Sequence, residues 1–87
     1  MVTTEQLAKV ATSIAAQTKE RHADRRSWDK THGQWLVYGF ERQLGFGGSA
    51  GLCSVVQQVW RKPQEEIATA VLGYLCTLYR DAKKLAE

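Results

Sequence analysis

The sequence predicts an all-α fold, a compact four-helix domain, and three observations predict it. Apolar residues recur at i, i+3, i+4 and i+7 spacing near the start, in the third quarter and near the end of the chain. Two Thr-x-x-Gln segments, Thr3–Gln6 and Thr31–Gln34, have capping-box spacing, in which each side chain bonds the other residue's backbone N–H. The single proline, Pro63, stands where a helix would begin, with Glu65 and Glu66 placed for the positive end of its dipole.

Each element follows from its own residues. The first helix, about 3–27, starts at the Thr3 cap, with Val2 and Leu7 at the positions of a hydrophobic staple. Leu7, Val10, Ala11, Ile14 and Ala15 form its apolar stripe. The stripe passes through Thr18 and turns cationic at Arg21, His22 and Arg25. A break over 27–33 leads to a second helix, about 32–44, lined by Leu36, Val37, Phe40 and Leu44 and closed by Gly45 as a left-handed cap. Trp35–Phe40 is also rich in strand formers. The alternative is therefore α+β, helix–hairpin–helix, with strands at 34–42 and 52–60.

Gly45–Gly51 reads as a flexible connector into a third helix, about 50–60, on which Leu52, Val55, Val56, Val59 and Trp60 share a face. The last helix, about 63–86, has Ile67, Ala70, Val71, Tyr74, Leu75, Leu78 and Tyr79 on a broad apolar face. Arg80, Lys83 and Lys84 sit at its negative C-terminal end.

With 87 residues the chain is one domain. Such a domain buries only about 60–65% of its unfolded surface, which favours association with a protein partner or with itself. A hydrophobic content of 44% with 24% charged residues argues against disorder. Lys9, Thr12 and Ser13 interrupt the N-terminal apolar residues, so no secretory signal is expected. The apolar stretch Ile67–Tyr79 is too short to span a bilayer, so no membrane association is expected. Cys53 and Cys76 read as buried reduced thiols, and the expected location is the cytoplasm.

The motifs exclude more chemistry than they suggest. The glycine-rich loop lacks the Lys-Ser/Thr ending that a P-loop uses to hold phosphate and magnesium. His22 and His32 lie ten residues apart beside Asp24 and Asp29, too widely spaced for a zinc pair and without a placed second carboxylate. Ser49 and Cys53 have no base motif around them. The sequence therefore predicts no enzyme, cofactor, metal or small-molecule substrate.

Binding is the remaining class. Twelve Lys and Arg oppose nine Asp and Glu, giving +3 and a pI near 9.1. Lys19, Arg21, Arg25, Arg26 and Lys30 are interleaved with Glu20, Asp24 and Asp29. Arg21, Arg25 and Trp28 project from one helical side, where Trp28 could stack on a base of single-stranded nucleic acid. Arg61 and Lys62, with Arg80, Lys83 and Lys84, supply a second group of cations. From Gly33 to Trp60 the only charges are Glu41 and Arg42, and five of the eight aromatics fall there. Trp35, Tyr38, Phe40, Phe46 and Trp60 are accordingly the expected protein interface.

The order of features resembles the small helical subunits of CRISPR ribonucleoprotein effector complexes, particularly type III. The residues that carry it are Thr3-Thr-Glu-Gln6 with Ala8 and Ala11, then Leu36–Leu44, Gly45-Phe-Gly47 and Leu52–Trp60, and finally Tyr74-Leu75 through Lys84. The resemblance implies a subunit that lines a guide or target strand through backbone contacts and packs on neighbouring subunits. Two other classes fit a short chain with no catalytic residues. One is a phage or mobile-element protein that binds and inhibits a host or defence protein; the other is a homodimeric helical structural protein.

Overall fold

A computed structural model of the chain describes residues 1–22 and 49–86. The predicted second helix, its Gly45 cap and the first helix beyond His22 lie outside the described residues.

The first helix, α1 (Thr4–His22), starts as its capping box dictates. The Gln6 amide donates to Thr3 Oγ1 at 3.1 Å, and the Thr3 amide donates to Gln6 Oε1 at 2.8 Å. Two donors that the helix cannot satisfy internally are thus matched, which stabilises such a start by about 1 kcal/mol. Leu7, Val10, Ala11, Ile14 and Ala15 are all buried, as their spacing predicts. Thr18 continues the stripe and is fully buried.

The second described helix, α2, is Ser49–Val59, which excludes a strand at 52–60. Leu52, Cys53 and Val56 are its buried residues, while Val55 and Val59 are half-buried. Gly51 lies inside α2, as the predicted helix over about 50–60 has it, so the connector does not extend to Gly51. A Cβ there would come within 2.9 Å of Tyr74 Cζ. The missing side chain lets one helix approach the Tyr74 ring of the next.

That next helix, α3 (Gln64–Asp81), follows Pro63, whose carbonyl accepts from the amides of Glu66 and Ile67 at 3.0 and 3.1 Å. Ile67, Val71, Leu75 and Tyr79, four residues apart, are buried along one line. Both α1 and α2 pack along α3, so it is the centre of the fold. Cys53 is buried and Cys76 half-buried, and neither is in a disulfide.

The chain end departs from expectation. The sequence predicts a helix to residue 86, but α3 stops at Asp81 and the chain reverses. Lys84 N–H donates to Tyr79 O at 2.8 Å and Lys83 N–H to Arg80 O at 3.0 Å, with Lys83 at φ 58°. These are the two bonds of a Schellman motif, with lysine at the left-handed position that glycine usually fills. The reversal sends Leu85–Ala86 (β2) alongside Val2–Thr3 (β1) in a parallel pair, Val2 opposite Leu85. Val2 N–H donates to Lys84 O at 3.0 Å. Leu85 is 7% exposed and joins the core.

The molecule is thus mainly helical, with three helices among the described residues and a two-stranded clasp. The clasp puts the start of α1 beside the end of α3, so these two helices run antiparallel. Among the described residues, no helix is long and apolar enough to cross a membrane.

Candidate functional site

At the other end of α3 the chain turns sharply from α2, and cations from distant parts of the sequence meet at this corner. Lys62 N–H donates to Val59 O at 2.9 Å, which tightens the turn. Pro63 biases Lys62 away from helical geometry and so stops α2. Lys19, near the end of α1, crosses to the corner and donates through Nζ to the Trp60 carbonyl at 3.3 Å. A cation on a terminal carbonyl of α2 also faces the negative end of that helix.

Arg61 lies over the Trp60 ring, with Cζ 4.9 Å from the ring centroid. A guanidinium stacked in this way is attracted by the ring quadrupole, by about 0.5–1 kcal/mol at an exposed site. Trp60 itself is 8% exposed. The sequence reading made it an interface residue, but the structure uses the indole as core and as the platform under Arg61. Arg61 and Lys62 are exposed, and Lys19 is half-buried.

The structure divides the expected sites. Lys19, Arg61 and Lys62 come together. Arg21 is exposed on the same turn of α1 as Lys19 but two residues on, and so it points to a different side. Arg80, Lys83 and Lys84 do not join Arg61 and Lys62. They stand beyond the far end of the 18-residue α3, about 27 Å away at 1.5 Å per residue. Arg25, Arg26, Trp28, Lys30, Trp35, Tyr38, Phe40 and Phe46 lie outside the described residues.

The corner is not strongly charged. Among the described residues beside it, Lys19, Arg61 and Lys62 are accompanied by Glu20, Glu65 and Glu66, three cations and three carboxylates. What distinguishes it is the fixed placement of two of its cations, one on a carbonyl and one on a ring.

Sequence reasoning placed Thr18 on the apolar stripe but gave its hydroxyl no role. Its side chain is fully buried and Oγ1 has no hydrogen-bond partner, although it stands one residue before Lys19. The signal was present: a hydroxyl on the apolar stripe, where the helical period sends it inward. Among the described residues no three His, Cys, Asp or Glu side chains gather in a metal-holding group. Comparison of the chain with protein-family models, with curated proteins and with solved structures finds no match in any of the three.

Proposed function

We propose that the chain is a non-catalytic binding module: a small helical subunit that contacts a nucleic-acid backbone and neighbouring proteins within a ribonucleoprotein complex. The observation that carries this reading is the meeting of Lys19 with Arg61 and Lys62 at one end of the bundle. Residues so far apart in sequence gather there, while Arg80, Lys83 and Lys84 stand at the opposite end of α3. In the sequence, Arg25, Arg26 and Trp28 follow Lys19 within nine residues. Contacts of this kind neutralise phosphates and release counterions, so they weaken as salt rises.

The test is a fluorescence titration of a labelled single-stranded oligonucleotide at increasing salt, with the native chain and with Arg61→Ala/Lys62→Ala. Each lost contact to a single strand should flatten the log–log salt slope by about 0.7, so the double variant should lose about 1.4. Helicity should be unchanged. Absence of binding, or binding indifferent to salt, would refute the reading.

A further inference from the structure

We propose that residues 82–86 are a latch with two arrangements. One is the reversal that seats Leu85 in the core; the other is a continuation of α3 through Ala86 that withdraws Leu85 and opens the clasp.

Local preference and observed structure disagree over this segment. Ala82, Lys83, Lys84, Leu85 and Ala86 are all strong helix formers, with no glycine, asparagine or proline among them to stop a helix. The chain nevertheless reverses, and Lys83, at φ 58°, is the one non-glycine residue of positive φ among the described residues. A residue stays in that region only where its surroundings over-determine it, and such positions cluster at switch segments. A conflict between propensity and fold marks the same kind of place.

Hydrogen bonding does not decide between the two arrangements. In the reversal, Lys84 N–H donates to Tyr79 O at 2.8 Å and Lys83 N–H to Arg80 O at 3.0 Å. In a continued α-helix each amide bonds the carbonyl four residues earlier, so Lys83 would take Tyr79 O and Lys84 would take Arg80 O. The same two donors and two acceptors exchange partners, and none is left unmatched. Ala82 already lies in the right-handed helical region, at φ −82° and ψ −1°, so the change of hand falls on Lys83. Beyond it, Leu85 and Ala86 give up their pairing with Val2–Thr3, including the 3.0 Å bond from Val2 N–H to Lys84 O. They gain helical bonds to the carbonyls of Asp81 and Ala82 in return.

Burial then sets the balance. Leu85 is 7% exposed in the reversal, whereas Lys83 and Lys84 are exposed and Ala82 and Ala86 half-buried. One leucine and a two-residue pairing thus oppose the helix preference of five residues and the strain at one. Opening leaves the buried line of Ile67, Val71 and Leu75 in place. It frees Val2–Thr3, and with them the end of α1 that the clasp holds.

Nuclear magnetic resonance of the full chain tests this, through Cα chemical shifts over 82–86 and hydrogen exchange of the Val2 amide, which bonds Lys84 O only in the closed form. The amides of Val71 and Leu75 report on the core. In the native chain Val2 should be protected at least about tenfold less than those two, through an opening smaller than global unfolding. Lys83→Gly removes the left-handed strain and lowers helix preference, so it should slow Val2 exchange about tenfold. Leu85→Lys keeps the helix preference and removes the buried anchor. Its shifts over 82–86 should become helical, and Val2 should lose protection while Val71 and Leu75 keep theirs. Random-coil shifts over 82–86 in Leu85→Lys would overturn the latch, because the segment would have no second ordered form. Val2 exchange that Lys83→Gly does not slow would overturn it too. So would equal protection of Val2, Val71 and Leu75 in the native chain, or loss of all three in Leu85→Lys, since the clasp would then open only with the core.

Discussion

At the corner end of α3 the chain turns within the four residues between Val59 and Gln64, whereas at the clasp end Val2–Thr3 pairs with Leu85–Ala86. The first closure is local. The second joins segments from near the two extremes of the chain and must meet the entropy of closing the whole loop between them. The two ends also bury different amounts of apolar surface. The corner rests on an indole, while the clasp rests on one leucine and two short strands that would not persist alone. A short local turn backed by a large aromatic is the stiffer construction, and it is where two of the cations are held in place. The clasp ties α1 to α3 through backbone pairing at Val2 and Leu85.

The largest test of this comparison is a pair of truncations. Trp60→Ala removes the indole and the platform for Arg61 and should cost about 3–4 kcal/mol. Leu85→Ala removes a smaller buried side chain and should cost about 2–3 kcal/mol. Against a total stability of roughly 5–15 kcal/mol, either change is a large fraction. Urea unfolding followed by circular dichroism measures both. A negligible loss for Leu85→Ala would show that the clasp opens independently of the core. A loss equal to that of Trp60→Ala would remove the asymmetry between the ends.

A smaller effect, of opposite sign, is expected at Thr18. Its hydroxyl is fully buried without a partner, next to the residue that reaches the corner. In mid-helix such a hydroxyl ordinarily back-bonds to the carbonyl four residues earlier, and here it does not. An unsatisfied buried polar group costs about 1–3 kcal/mol, while valine has nearly the same shape and helix propensity. Thr18→Val should therefore stabilise the protein by about 1–2 kcal/mol, seen as a higher urea midpoint at unchanged slope. Destabilisation would show that the hydroxyl has a partner, such as a bound water, and that the corner end is less dry than the structure implies.

The same contrast explains what the sequence could and could not announce. The corner was legible because its signals are close together: Pro63 marks the start of α3, Lys62 before it ends α2, and Glu65 and Glu66 suit the dipole. The cores of α1 and α3 were legible because seven-residue spacing of Leu7 and Ile14, or four-residue spacing of Ile67 and Val71, has one helical interpretation. The clasp was not legible. Two-residue strands are too short to show a period, and their pairing depends on partners at opposite ends of the sequence. Lys83 and Lys84 looked like ordinary C-terminal cations because no glycine marked the reversal. The meeting of Lys19 with Trp60 was equally hidden, since it depends on how α1 packs and not on any local motif. The sequence did place Arg61 and Lys62 among the binding residues, but it joined them with Arg80, Lys83 and Lys84, which α3 holds apart.

The smallest test returns to that unannounced reversal. Lys83 has φ 58°, in the left-handed region, where an L-residue with a Cβ is strained by roughly 1–2 kcal/mol. Glycine removes the strain but frees more conformations in the unfolded chain, which offsets part of the gain. Loss of a cation near the end of α3 offsets about 0.3 kcal/mol more, because Lys83 faces the negative end of the helix. The balance for Lys83→Gly should be a stabilisation of about 0.5 kcal/mol, the difference of these opposing terms. It should raise the urea midpoint slightly and leave oligonucleotide binding at the corner unchanged. A clear destabilisation would mean that the Lys83 side chain, and not the backbone conformation, holds the reversal. The clasp would then depend on side-chain contacts as the corner does, and the contrast between a locally built end and a pairing-built end would narrow.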